Sequence, residues 1–138
     1  MKVLLDTSAC LAHFRGEPGA DQVQELFVRD DVDILLCSLT LAEMARRLRE
    51  LGLPKGEIWR IVADYEDLAV EVVPVGAEVA RKSDEICLKT ASRLPLADAL
   101  IAAAAAWRGA TLVHRDTHMQ PIPRSQLRQI DLAEDGKT

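Results

Sequence analysis

Four acidic residues stand at places in this sequence where alternating apolar runs and helical segments would bring them together. Asp6 directly follows the apolar run 3–5, Asp116 lies two residues past the run 111–114, and Glu43 and Asp98 fall in early turns of helical stretches that follow loops. Carboxylates gathered on one rim repel one another and raise each other's pKa values unless a cation compensates, and hard oxygen donors of this type select Mg²⁺ or Mn²⁺. One ion held there lowers the pKa of a water for attack on a phosphodiester, while a second stabilises the leaving oxygen. The implied chemistry is hydrolysis without a protein nucleophile.

Each acid also has a simpler reading. Asp6 can cap the helix that Thr7 and Ser8 introduce. Glu43 stands three residues after Thr40, the capping-box spacing, and four before Arg47, which suits a surface ion pair. Asp98 can serve the positive end of its helix dipole, although it shares a face with Ile101, Ala102 and Ala105, where an unpaired carboxylate is costly. Asp116 reads equally well as a turn residue after a strand. The four taken together are a stronger signal than any one of them.

The elements that would position these acids follow from periodicity. Segments 2–5 and 33–37 are short runs of the kind found in strands buried on both faces, as is 111–114. Segment 70–75 reads as a strand that Pro74 confines to an edge or ends early, and 129–132 as a short terminal one. Helices are expected over 8–14, 20–28, 40–51, 57–68, 76–91 and 97–108, the last with Pro95 near its start and Gly109 just past its end. Strands alternating with helices predict an α/β domain around a mostly parallel sheet, with its site at the carboxyl ends of the strands.

Bulk properties set the limits. The chain has 138 residues, 49% of them hydrophobic, enough for one globular domain with an ordinary core. The first apolar run stops at Asp6, so no secretion signal is expected, and no stretch is long and apolar enough to span a membrane. Cytoplasm is the expected compartment. Cys10, Cys37 and Cys87 are odd in number, lack Cys-x-x-Cys spacing and lie in apolar segments, so they read as reduced structural residues. Seventeen basic against 22 acidic residues give a net charge of −5, at face value unfavourable for a nucleic-acid partner. Two divalent cations on the acids would leave about −1, which removes most of that objection.

With these residues in view, the chain resembles the PIN-domain ribonucleases, and more narrowly the VapC-type toxins of bacterial toxin–antitoxin pairs. The segments that carry the resemblance are VLLDTS (3–8), SLTLAEM (38–44), LPLADALIAAAA (94–105) and LVHRD (112–116), in the family's order and approximate spacing. It covers nearly the whole chain, giving one domain over 1–133 and a polar tail over 134–138. The resemblance implies a three-layer α/β/α sandwich, metal-dependent endonucleolytic cleavage of RNA, homodimers, and inhibition by a small antitoxin that occupies the active-site groove. Asp6, Glu43 and Asp98 match the family's three central acids and Asp116 the fourth. Ser8 corresponds to a hydroxyl that helps order the site, with Thr7 beside it. The family often continues past the fourth acid with another acid and an aromatic, where this chain has His118 and Met119, and His114 stands where a small hydroxyl is common. A site with fewer acidic ligands is expected to hold one ion firmly and to recruit a second with the RNA phosphate.

Other features carry competing readings. His114 and His118 have the spacing of a zinc half-site, though no Cys or His pair completes a tetrahedral set. His118 could instead donate to an RNA phosphate, as could Arg93 and Arg115, which lie close to the acids. Arg46, Arg47 and Arg49 form either a solvated face or a contact for RNA or an antitoxin. Trp59 and Tyr65 suit a core or a dimer interface better than base stacking. Beside the nuclease stands a non-catalytic module of the same fold that binds RNA or protein. A phosphorelay receiver is disfavoured, because Leu5-Asp6-Thr7 lacks paired acids and Cys37-Ser38 lacks an acceptor aspartate.

Overall fold

A computed structural model describes residues 1–135. Its centre is β1 (Lys2–Leu5), whose apolar residues serve both faces of a sheet in strict alternation. Val3 and Leu5 join one buried cluster and Leu4 the other, as the two-residue period of a strand requires. Helices α1 (Thr7–Arg15) and α2 (Ala20–Val28) follow, then β2 (Asp33–Cys37), α3 (Ser38–Glu50), α4 (Lys55–Leu68) and the short strand β3 (Glu71–Val73). The chain returns through α5 (Ala77–Lys89) and α6 (Leu96–Trp107) to β4 (Thr111–His114), β5 (Gln129–Asp131) and α7 (Leu132–Asp135).

The five strands are ordered β3-β2-β1-β4-β5 and all four pairings are parallel, with Leu4 opposite both Leu35 and Leu112. Val79 and Ile86 of α5 and the alanine-rich face of α6 pack on one side of the sheet. Residues of α1 to α4, among them Cys10, Leu26, Met44 and Val62, pack on the other. This is the expected three-layer α/β/α sandwich. Ala102 to Ala105 are fully buried, their small side chains allowing α6 to lie close to its neighbours.

The connection order creates a switch point. The chain builds outward from β1 to β2 and β3 on one side, then crosses to β4 and β5 on the other. The crevice between the carboxyl ends of β1 and β4 is where open α/β sheets bind ligands. Asp6 leaves β1 and Asp116 leaves β4 on either side of it.

Several boundaries differ from those the sequence predicts. Strand β3 stops at Val73 instead of residue 75, because Pro74 has no N–H to offer the ladder. It is also an edge strand. Helix α3 begins at Ser38, two residues early, so Thr40 lies inside it and no capping box forms with Glu43. Leu132 opens α7 instead of closing β5, and α7 runs into the stretch expected as a polar tail, of which residues 136–138 lie outside the described residues. Trp59 is 55% exposed and so is no core residue, whereas Tyr65 is buried. Cys10, Cys37 and Cys87 are free thiols. Among the described residues, no helix is long and apolar enough to cross a membrane.

Candidate active site

Asp6 is 2% exposed and does two things at once. It is the N-cap of α1, with Oδ1 accepting from the Ala9 N–H at 2.8 Å and from the Ser8 hydroxyl at 2.7 Å. Both bonds fall on Oδ1, so capping does not consume the carboxylate. Burial pushes its pKa up to about 7; the bonds from Ser8 and Ala9 oppose this, and the charges of Asp116 and Asp98 add to it. The capping reading is therefore correct for this residue, and it leaves Oδ2 free of these bonds.

Ser8 joins the two rims of the crevice. Its Oγ donates to Asp6 and accepts from the Arg115 N–H at 2.8 Å, tying the end of β1 to the loop after β4. The Asp6 N–H donates to Val113 O at 3.0 Å, so the backbone makes the same link. Thr7 points the other way: its hydroxyl donates to Glu43 Oε1 at 2.5 Å and lies 3.3 Å from Thr40 Oγ1. The ion pair expected between Glu43 and Arg47 is absent, because Arg47 turns to Glu50 at 3.3 Å. Glu43 is thereby held by Thr7 at the start of α1.

Asp98 lies in the first turn of α6, where the helix dipole favours a negative charge. Even so, burial raises its pKa to about 6, with Asp116 the next largest cause and Glu43 adding to it, while His118 opposes. Asp116 is shaped by its own loop: Oδ1 accepts from the His118 N–H at 2.9 Å and lies 3.0 Å from His118 Nδ1. That nitrogen is also 3.7 Å from Asp98 Oδ2. Asp98, Asp116 and His118 each offer a ligand atom within 4.8 Å of the others, and among the described residues they are the only such group of three. Asp6 and Glu43 stand outside that tight set but act on it through their charges.

Two features were not foreseen from the sequence. His114 is fully buried, with Nε2 2.8 Å from Gln129 Oε1 and Nδ1 accepting from the Asp116 N–H at 3.1 Å. With both ring nitrogens engaged it braces Asp116 and cannot form a zinc half-site with His118. Its place in a strand buried along most of its length was the available signal. The second is the pairing of His118 with two acids, which depends on a loop turn that no periodicity reports.

The remaining candidates are arginines. Arg115 pairs with Glu17 at 3.6 Å, while Arg93 is exposed. Arg46 and Arg47 share Glu50 and, with Thr7, Leu11 and Glu43, line a cleft of about 240 Å³ beside the site. The donor set fits a hard divalent cation: acidic oxygens from α6 and from the loop after β4 come together, and two carboxyl groups are pushed up where positive charge would restore their ionised forms.

Solved structures share this architecture. The VapBC2 complex of Rickettsia felis, bound to a DNA fragment from its promoter, matches with a TM-score of 0.75 at 19% identity over 95% of this chain and 98% of that one. The DNA-bound VapBC of Salmonella typhimurium matches at 0.73 and 20%, over 96% and 98% of the two chains. VapC20 of Mycobacterium tuberculosis, described as a toxin that cleaves the sarcin–ricin loop, matches at 0.66 and 16%, over 83% and 90%. No curated protein sequence matches. The family model for the PIN domain matches residues 3–124, and the chain belongs to the PIN-domain family.

Proposed function

We propose that this protein is a Mg²⁺- or Mn²⁺-dependent endoribonuclease, acting in the cytoplasm as the toxin of a type II toxin–antitoxin pair through one catalytic domain, residues 1–133. The observation that carries the reading is the close approach of Asp98 and Asp116 at the switch point of a parallel sheet, with Asp6 and Glu43 acting on the set through their charges and burial raising the pKa values of Asp6 and Asp98. A divalent cation held there would supply charge stabilisation for a phosphodiester and lower the pKa of a water for the attack.

The protein's own groups do the rest. Asp6, Glu43, Asp98 and Asp116 would hold the cation. Ser8 fixes the distance between Asp6 and the Arg115 backbone, and Thr7 orients Glu43. Arg93, exposed and without a salt bridge among the described residues, would meet an RNA phosphate without first breaking one, whereas Arg115 would have to leave Glu17. Two of the solved relatives are complexes with an antitoxin, which supports a small protein partner here too. The cleft beside Glu43, lined by Arg46 and Arg47, suits that partner's acidic groups. A homodimer accords with the exposed Trp59 and Leu68 on α4.

The test is digestion of total cellular RNA by purified, partner-free protein in Mg²⁺, Mn²⁺ or EDTA, with new ends mapped by sequencing beside an Asp98→Asn control. Discrete ends that require the cation and vanish in the control are expected. Folded, cation-binding protein that produces no ends would replace this reading with the non-catalytic RNA- or protein-binding module.

A further inference from the structure

The acids leave one donor unexplained. His118 is 57% exposed, yet its ring is held against two carboxylates, with Nδ1 3.0 Å from Asp116 Oδ1 and 3.7 Å from Asp98 Oδ2. We infer that His118 is a cation ligand, its Nδ1 joining Asp98 and Asp116 in one mixed nitrogen–oxygen site that favours a divalent transition ion such as Mn²⁺ over Mg²⁺. This rests on the metal-dependent reading above and adds to it a ligand and a preference.

The spacing is that of neighbouring ligands on one ion. Two donors each about 2.1 Å from a cation, at right angles, are about 3.0 Å apart. The contact to Asp116 has that length, and the contact to Asp98, at 3.7 Å, is 0.7 Å longer. The loop keeps the ring in place. The His118 N–H is bonded to Asp116 Oδ1, the next N–H, of Met119, donates to Asp116 O at 3.1 Å, and the Met119 side chain is fully buried in the core. His118 is thus pinned on both sides while its ring stays open to solvent, which leaves the other coordination positions accessible.

His114 cannot compete for the ion, since its two nitrogens hold Gln129 and the Asp116 backbone. Met119 stands where the family often has an aromatic, and its side chain is fully buried beneath the loop. Imidazole nitrogen is a good donor for first-row transition ions and a poor one for Mg²⁺, which prefers oxygen and keeps its waters. Exchange of an acidic ligand for histidine therefore moves the preference and also makes the site less negative.

The experiment is titration calorimetry of the intact chain with MnCl₂ and with MgCl₂, on wild type, His118→Ala and Asp98→Asn, together with pulsed electron paramagnetic resonance of bound Mn²⁺. Wild type should show hyperfine coupling from a ring nitrogen that His118→Ala lacks. His118→Ala should bind Mn²⁺ about tenfold or more weakly, since even outer partners of metal ligands are worth that much, with Mg²⁺ affinity shifted far less. Mn²⁺ bound without nitrogen coupling, or bound equally by His118→Ala, overturns the inference about His118 alone if Asp98→Asn still abolishes binding. Wild type that binds neither ion overturns both the inference and the metal-dependent reading.

Discussion

The two halves of the acidic site are built on opposite plans. On the β1 side, Asp6 and Glu43 are anchored by bonds to protein donors: Ser8 and the Ala9 N–H hold one, Thr7 the other. On the β4 side, Asp98 and Asp116 face each other across a short gap, with a histidine from an exposed loop set between them. The first half is preorganised by neutral hydrogen-bond donors. The second is a concentration of like charge that a cation would relieve. Rigid placement and electrostatic demand are thus assigned to different elements of one site.

Substitutions should separate the two halves. The largest effect is expected from Asp98→Asn or Asp116→Asn, which lower RNA cleavage by about 10²- to 10³-fold, the cost of removing one preorganised charge-stabilising group. Melting curves in EDTA should show these variants at least as stable as wild type, because each removes repulsion.

Next comes Asp6→Asn. The Asp6 carboxyl has its pKa raised from 3.8 to about 7 in the fold, so the unfolded chain ionises first as pH rises. Stability from this group is full below pH 3.8 and is lost progressively as pH climbs to about 7. At about 1.4 kcal/mol per unit, the loss is of order 4 kcal/mol at pH 8 without cation. Asparagine keeps the cap and has no charge to bury. Urea unfolding in EDTA at pH 5 and pH 8 should show a steep pH dependence in wild type and a flatter one in Asp6→Asn. A smaller loss is expected from Ser8→Ala, which unties the rims and leaves the Arg115 N–H without its partner, at about 1–2 kcal/mol by the same assay. The smallest effect concerns RNA binding: Arg93→Ala should reduce the salt slope of affinity by about 0.7, one phosphate contact to a single strand, and Arg115→Ala by less because Glu17 already engages it.

Much of this arrangement was legible in the sequence, for identifiable reasons. Strands at 2–5, 33–37 and 111–114 are short apolar runs that stop at polar residues, and the structure has them at those limits. Asp6 and Asp116 could be placed on one rim because a residue leaving a parallel strand has one edge to go to. Signals that depend on tertiary contact were not legible. Thr40 looked like a cap because its spacing to Glu43 fits one, but β2 runs straight into α3 and the helix starts at Ser38. His114 looked like a metal ligand by spacing alone, and only its burial against Gln129 shows it to be a brace. His118 reads as a zinc half-site member or a donor to an RNA phosphate, and its pairing with two acids shows only in the turn around Asp116.

The most direct test of the account is an anomalous difference map from crystals of the protein grown with Mn²⁺. A peak between Asp98, Asp116 and His118 Nδ1, on the side facing Asp6, is the expected result. A well-ordered site with those side chains in place and no peak among them, or Mn²⁺ bound elsewhere on the surface, would contradict it.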